Sequence, residues 1–218
     1  MGIILLVRHG QASFGADDYD VLSETGYEQG RVLGKWLAAQ GTVPASAVHG
    51  GLRRQRETWE ALGFGDVEAT VDPAWDEFDH LAVLAHYAAT TGADIDHGVD
   101  RKVFQRVFEE STEHWASGVT AYPDPYATFL DRTRGALERA AAAPGPVVAV
   151  TSGGVIAAIA AMLVAPGLEP AALGPIWSRF NTVLANSSVT RVIVGSTGAR
   201  LLTYNEHAHL TRDLLTYR

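Results

Sequence analysis

Short apolar runs alternate along the chain with amphipathic stretches, a pattern that predicts strands and helices in turn. The first run, Ile3 to Val7, holds five consecutive branched aliphatic residues, which indicates a strand buried on both faces of a parallel sheet. Similar runs predict strands from Ala45 to His49 and from Pro146 to Val150, and another short strand from Val67 to Val71. Helical stretches lie between these runs, so we expect an α/β protein.

Three helices are predicted beside these strands. One is expected from Ser23, a favourable N-cap residue, to about Gln40, and a second from near Leu52 to the residue before Gly63. A third, strongly apolar helix is expected from Val155 to Val164. Each follows a predicted strand or the loop after it, as in proteins with helices on both faces of a sheet.

The first of these helices carries a glycine stripe. Gly26, Gly30 and Gly34 recur every four residues on one side of the helix. Each glycine weakens a helix by about 1 kcal/mol, so a purely local pattern would not favour them. The stripe therefore predicts close packing of this helix against another backbone.

Residues 81–143 have helical patterns without convincing strands between them. An amphipathic helix is predicted by positions spaced three or four apart, at Phe104, Val107, Phe108, Ser111 and Trp115. Another helix is expected from Tyr126 to Ala143, after Pro123 and Pro125, which separate the two. We interpret 81–143 as a helical cap inserted on the ligand side of the sheet, within one domain that spans residues 1–218.

Near the end of the chain, residues 188–194 and 199–204 alternate like two strands. The glycine-bounded segment 195–198 between them predicts a hairpin. The expected fold is therefore a three-layer α/β fold, with a mostly parallel sheet flanked by helices, an antiparallel part and a helical cap.

Composition narrows the function. A chain of 218 residues that is 47% hydrophobic is long enough for one large domain, and the lack of cysteine excludes disulfides, thiol nucleophiles and thiolate metal sites. The formal net charge of −8 argues against nucleic acid or an anionic membrane as a partner. Because the first apolar run is too short for a signal peptide or a membrane span, we expect a soluble cytoplasmic protein.

Polar residues follow two of the predicted strands. Arg8, His9 and Gly10 come directly after the first strand, at the carboxyl end where open α/β sheets bind ligands. Ser152 and Gly153 open the apolar helix after the strand that ends at residue 150, and free backbone N–H groups at such a helix start attract anions. The two strand ends together predict an anion site.

Three arginines crowd into four residues of this acidic chain, at Arg53, Arg54 and Arg56. They indicate either a solvated helix face or part of the anion site. In a helix Arg54 shares a face with Thr58, whereas Arg53 and Arg56 share another. One arginine can therefore point inward while two remain solvated.

Several segments occur together in a characteristic order: Leu6-Val7-Arg8-His9-Gly10, Leu22-Ser23-Glu24-Thr25-Gly26, Leu52-Arg53-Arg54 with Thr58, Glu77, and Val150-Thr151-Ser152-Gly153-Gly154. With this order and spacing, the chain resembles the histidine phosphatase superfamily, the phosphoglycerate-mutase-like phosphatases. The resemblance covers most of the chain. It implies the three-layer fold expected above.

The resemblance assigns the nucleophile to His9, which would attack a phosphoryl group and become phosphohistidine. Its other ring nitrogen should then donate to a backbone carbonyl that fixes the tautomer. Glu77 lies where the family carries its general acid, and Asp76 and Asp79 are rival candidates. A carboxylate placed near bound phosphate has a raised pKa, as a general acid requires.

Arg8 and Arg54 correspond to the family's phosphate-binding arginines, with Arg53 and Arg56 as alternatives for the second place. Ser152 is a departure, because the family normally has a second histidine there that contacts the phosphoryl group. The serine hydroxyl is expected either to bind phosphate, beside Gly153, or to cap the following helix.

The leading hypothesis is a phosphomonoesterase that hydrolyses a small phosphorylated substrate through phosphohistidine at His9, without a metal ion or other cofactor. The alternatives are a mutase that returns the phosphoryl group to its substrate, and a non-catalytic phosphate-ligand or protein-binding module, which Ser152 supports best. His207 and His209 alternate in a spacing that could suit a metal, but structural roles are expected for both.

Overall fold

The computed structural model describes residues 2–13, 20–94 and 101–217, and six strands in these ranges form one sheet. The strands are β1 (Gly2–Arg8), β2 (Ser46–His49), β3 (Ala69–Val71), β4 (Pro146–Thr151), β5 (Val189–Gly195) and β6 (Gly198–Glu206). Their order across the sheet is β3-β2-β4-β1-β5-β6. The first four run parallel, and the β5–β6 hairpin adds the antiparallel part. The predicted sheet is confirmed.

Seven α-helices occur in the described ranges: α1 (Glu24–Ala39), α2 (Arg53–Leu62), α3 (His80–Thr91), α4 (Arg101–Ser117), α5 (Tyr126–Ala142), α6 (Gly153–Val164) and α7 (Pro170–Asn181). The Ser23 hydroxyl caps α1 as predicted. Helix α6 begins at Gly153, ahead of the predicted start at Val155. None of the described helices is long and apolar enough to cross a membrane.

Helix α7 was not predicted, because Gly174 and Pro175 interrupt its apolar pattern. Burial of Leu173 and Trp177 in the core stabilises the helix despite those residues. Tertiary packing thus outweighs local helix propensity in this segment.

The sheet separates two hydrophobic cores. Leu5 and Val7 of β1 pack on the side of α1 and α2, while Ile4 and Leu6 pack on the side of α5, α6 and α7. Successive residues of a strand point to opposite faces, so a wholly apolar strand needs helices on both sides. The three-layer fold predicted from the sequence is confirmed.

The glycine stripe of α1 lies against neighbouring backbone. A Cβ atom at Gly34 would lie 1.9 Å from the Leu62 carbonyl oxygen of α2, and one at Gly26 would lie 2.2 Å from the Gln11 carbonyl oxygen. These distances exclude any side chain without movement of the backbone. The predicted close packing is confirmed, and it brings α2 and the loop after β1 toward each other.

The helices of residues 81–143 pack in different places. Helices α3 and α4 contact each other and α4 contacts α7, whereas α5 buries Phe129 and Leu130 in the core beside the sheet. On α4, the predicted inward positions Ser111 and Trp115 are buried, and the Phe104 side chain lies outside the described part of the chain. Treating the whole segment as one cap stays a prediction.

The carboxyl ends of β1 and β4 lie side by side at the centre of the sheet. Arg8 is in register with Thr151, and the His9 N–H donates to the Thr151 carbonyl oxygen at 2.9 Å. The same register, continued by one residue, places His9 next to Ser152. The two loops singled out in the sequence thus meet at one point.

Candidate active site

His9 stands directly after β1 and is 7% exposed. Its Nδ1 lies 2.8 Å from the carbonyl oxygen of Gly10. A carbonyl oxygen can only accept, so Nδ1 carries the hydrogen and Nε2 keeps its lone pair. The backbone carbonyl expected to fix the tautomer is therefore present, and it leaves the lone pair on Nε2.

The Nε2 atom of His9 faces an arginine. Arg54 Nε donates to it at 3.2 Å. Burial lowers the pKa of His9 well below its ordinary value, and the nearby charges of Arg54 and Arg8 lower it further. The imidazole is therefore neutral near neutral pH. Its Nε2 lone pair points toward Arg54, a cation that would attract an anion to this nitrogen.

The three clustered arginines divide as the helix-face argument predicts. The side chain of Arg54 is 10% exposed, whereas those of Arg53 and Arg56 are 47% and 54% exposed. Arg53 pairs with Glu57 of the same helix at 2.6 Å. Only Arg54 of the three bonds to His9.

Asp20 forms an ion pair with Arg54, a contact that was not predicted from the sequence. Its Oδ1 lies 2.8 Å from Arg54 Nη1, and its Oδ2 accepts from the Arg53 N–H at 2.7 Å. A carboxylate on Nη1 leaves the Nε side of the guanidinium directed toward His9. No local signal marks Asp20, because it is 34 residues from Arg54 in the chain.

Arg8 lies at the start of α6. Its Nη1 donates to the carbonyl oxygens of Leu184 and Tyr217. A Cβ atom at Gly153 would lie 3.5 Å from Arg8 Nε, which places the guanidinium against the first turn of the helix. Arg8 and the backbone of Gly153 thus border the same space beside His9.

The His9 loop is held from two sides. The Gly10 N–H donates to Thr58 Oγ1 at 2.9 Å, and the Thr58 hydroxyl donates to the Arg54 carbonyl oxygen at 2.7 Å. From the other side, Asn186 Nδ2 donates to the His9 carbonyl oxygen at 3.3 Å. These bonds fix the loop relative to α2, the helix that carries Arg54.

Glu77 lies over the N-terminus of α6. The Gly154 N–H donates to its Oε2 at 2.9 Å, and a Cβ atom at Gly154 would lie only 2.2 Å from its Oε1. Removal from water raises the pKa of Glu77, although the Gly154 N–H and the charges of Arg54 and Arg8 act in the opposite direction. The carboxyl thus keeps its proton to higher pH than an exposed glutamate does.

Aromatic side chains exclude water behind Glu77. The ring of the next residue, Phe78, stacks on Trp115 with centroids 4.8 Å apart and meets Trp177 edge to face at 5.6 Å. Trp177 belongs to α7 and donates to the Gly154 carbonyl oxygen at 2.9 Å. The helix that the sequence analysis missed therefore supports the position of Glu77.

The rival carboxylates have other partners. Asp79 caps α3 by accepting from the Ala82 N–H at 2.9 Å. Asp76 accepts from the Gly51 N–H at 2.5 Å, and burial raises its pKa as well. Of the three, Glu77 is the one bonded to the glycine turn that follows Ser152.

Ser152 occupies the N-cap position of α6, but its side chain makes no capping hydrogen bond. It is fully buried, and its Oγ accepts from Gln55 Nε2 at 3.0 Å. Gln55 was not predicted from the sequence, because an uncharged residue beside three arginines gives no functional signal. The hydroxyl does not make the capping bond that was one alternative, and its contact with phosphate stays a prediction.

Among the residues that the structure describes, no three His, Asp or Glu side chains gather as a metal site would require. His207 Nδ1 lies 2.6 Å from the Asn205 carbonyl oxygen, and His209 Nε2 lies 3.0 Å from the Ser187 carbonyl oxygen. Both contacts are with backbone, as expected of histidines with structural roles.

The sequence profile of the histidine phosphatase superfamily (branch 1) matches residues 4–207. Because the match covers nearly the whole chain, the protein belongs to this superfamily. No curated protein shows significant sequence similarity to the chain.

Solved structures show the same fold at low sequence identity. Mycobacterial glucosyl-3-phosphoglycerate phosphatase is 22% identical, with a TM-score of 0.60 over 95% of this chain and 100% of its own. A mutant of phosphoserine phosphatase from Entamoeba histolytica, in complex with phosphoserine, is 16% identical, with a TM-score of 0.68 over 97% and 100%. YhfR from Bacillus stearothermophilus is 20% identical, with a TM-score of 0.67 over 96% and 99%.

Proposed function

We propose that the protein is a metal-independent phosphomonoesterase that hydrolyses a small phosphorylated molecule through a covalent phosphohistidine at His9. Membership in the histidine phosphatase superfamily supports a phosphatase. The geometry around His9 supports the route. Arg8 and Arg54 would bind the phosphoryl oxygens, together with the backbone N–H of Gly153.

In the first step, the lone pair of His9 Nε2 attacks phosphorus and the bond from phosphorus to the ester oxygen breaks. The proton of the Glu77 carboxyl passes to that oxygen, so the alcohol leaves neutral and Glu77 becomes a carboxylate. In the transition state the three equatorial oxygens of the phosphoryl group carry negative charge, and the two arginines stabilise that charge.

In the second step, water attacks phosphorus and the N–P bond breaks. The Glu77 carboxylate takes the proton of the water, and His9 returns to its neutral form with the hydrogen still on Nδ1. Inorganic phosphate then leaves. Glu77 thus acts as acid and then as base, and the enzyme ends each cycle in its starting protonation state.

One observation carries this proposal. The Gly10 carbonyl fixes the hydrogen on Nδ1, and the lone pair of Nε2 accepts a hydrogen bond from the cationic Arg54 at 3.2 Å. A nitrogen nucleophile for an anionic electrophile needs both a lone pair and a cation that draws the anion to it. His9 has both.

Hydrolysis of para-nitrophenyl phosphate, followed with a metal chelator present, tests the activity. We expect phosphate release that the chelator does not reduce and that His9→Ala abolishes. A folded wild-type protein that releases no phosphate from any ester of a broad metabolite panel would contradict the proposal. Full activity in His9→Ala would contradict the assigned nucleophile.

A further inference from the structure

The contact between Gln55 and Ser152 joins two elements of the site. Both side chains are fully buried, and Gln55 follows Arg54 directly on α2. Consecutive residues of one helix thus hold the two neighbouring strand ends. Arg54 donates to His9 after β1, and Gln55 donates to Ser152 after β4.

The orientation of the Gln55 amide follows from a third partner. Its Nε2 lies 3.2 Å from the carbonyl oxygen of Trp75, which can only accept, so the nitrogen and not the oxygen faces it. The same carbonyl oxygen accepts from the Thr151 hydroxyl at 2.5 Å. Both amide hydrogens are therefore used, one on Trp75 and one on Ser152.

Trp75 lies two residues before Glu77 in the chain. Its carbonyl is one point at which the loop carrying Glu77 is tied to α2 and to the end of β4. A displaced Trp75 would move Glu77 relative to His9, because only Asp76 lies between Trp75 and Glu77 in the chain. Arg54 bonds instead to His9 and Asp20.

We propose that Gln55 is a positioning residue, whose amide clamps the Trp75 carbonyl and Ser152 and thereby sets where Glu77 stands relative to His9. This inference rests on the proposed phosphatase function. It replaces a direct role of Ser152 toward phosphate with a structural one, since the hydroxyl is buried against Gln55. Residues 55 and 152 then form a coupled pair that fills the space beside the nucleophile.

The first test is Gln55→Met, which keeps the length of the side chain and removes both donors. We expect kcat/KM for an alkyl phosphate, which is set by the step in which Glu77 donates its proton, to fall about 5- to 20-fold. For para-nitrophenyl phosphate, whose leaving group needs no proton, we expect a loss in kcat/KM below about threefold. Arg56→Met, on the exposed face of α2, is the matched control and should change neither rate.

Equal losses in kcat/KM for the two substrates would overturn the proposal, because a residue that only supports packing does not distinguish leaving groups. An unchanged alkyl phosphatase rate in Gln55→Met would overturn it as well.

The second test needs no catalytic activity and compares the melting temperatures of Ser152→His, Gln55→Ala and the double variant. An imidazole at position 152 collides with the amide that lies 3.0 Å from Ser152 Oγ, so Ser152→His alone should be strongly destabilised. Adding Gln55→Ala provides the space, and the double variant should melt higher than Ser152→His.

Additive losses in melting temperature would show that the two residues do not share this space and would contradict the pairing. Failure of Ser152→His to fold, with a folded double variant, supports it. Because this test is independent of turnover, the absence of phosphatase activity in the wild type would overturn the proposed function without deciding the pairing of the two residues.

Discussion

Two histidines at the carboxyl ends of parallel strands have the same local geometry. His9 follows β1 and His49 ends β2, both are buried, and the Nδ1 of each faces the carbonyl oxygen of the next glycine, at 2.8 Å and 2.6 Å. Only His9 also receives a hydrogen bond from an arginine on Nε2. The backbone carbonyl places the hydrogen on Nδ1 in both histidines, but the arginine beside Nε2 distinguishes His9, the proposed nucleophile.

The largest expected effect comes from exchanging the two histidines in turn for alanine. We expect His9→Ala to lose at least about 10⁴-fold in kcat/KM, because the covalent route disappears. His49→Ala removes the same ring from a similar strand end and should keep phosphoenzyme formation. Steady-state kinetics and covalent labelling measure kcat/KM and phosphoenzyme formation in the two variants. Equal losses in both variants would contradict the distinction between the two histidines.

The next effect concerns the arginine that distinguishes the two sites. Arg54→Ala should lower kcat/KM about 10²- to 10³-fold, because charge on the phosphoryl oxygens loses its partner. Arg56→Ala, from the solvated face of α2, should stay close to wild type. Kinetics of both variants with the same phosphate ester would check this, and a larger loss in Arg56→Ala would reverse the assignment.

A smaller effect is expected at Glu77, and it depends on the substrate. Glu77→Gln cannot donate a proton, so kcat/KM for an alkyl phosphate, which is set by the first step, should fall about 10²-fold and that for para-nitrophenyl phosphate much less. Asp79→Asn is the matched control, since Asp79 caps α3. A uniform loss in kcat/KM across leaving groups in Glu77→Gln would show that the carboxyl is not the proton donor.

The pH dependence of the wild type should follow from both shifted groups. Activity requires unprotonated His9, whose lowered pKa places the acidic limb well below 6.5. It also requires protonated Glu77, whose raised pKa places the alkaline limb above 4.5. Glu77→Gln should therefore lose the alkaline limb and keep the acidic one, as measured by kcat/KM across pH, which reports the groups of the free enzyme.

His209 shows what burial does without a nucleophilic role, and its effect should be the smallest. Burial lowers the pKa of His209 to about 4 from an ordinary value of 6.5. Between these two pH values the imidazole is protonated in the unfolded chain and neutral in the folded protein. Stability should fall as the pH drops from 6.5 toward 4, by about 1–2 kcal/mol for this partly exposed group. Denaturant unfolding of His209→Gln should lack this part of the loss, and an identical pH dependence would contradict it.

The sequence predicted the elements whose patterns are local. An apolar run ending in Arg-His-Gly marked β1, and the glycine turn after residue 150 marked the start of α6. Ser23 predicted the start of α1, because a capping residue bonds to the backbone within one turn. Helix α7 was not predicted, because its stability depends on a distant contact, the packing of Trp177 against the turn at Gly154.

The site was predictable only in part for the same reason. Arg54 could be separated from Arg56 by helix geometry, since both lie on one regular element. Asp20 and Gln55 could not be found, because each acts on a residue that folding brings from a distant part of the chain. The role of Ser152 depends on that second contact, so position and residue type alone left two alternatives for it.

In the proposed mechanism, the Nδ1 hydrogen bond to Gly10 leaves Nε2 of His9 as the attacking atom. The most direct measurement traps the phosphoenzyme with an ester substrate at short reaction times and identifies the modified nitrogen by mass spectrometry and phosphorus NMR. We expect phosphate on Nε2 of His9 in the wild type and none in His9→Ala. Phosphate on Nδ1, or on any residue other than His9, would contradict it.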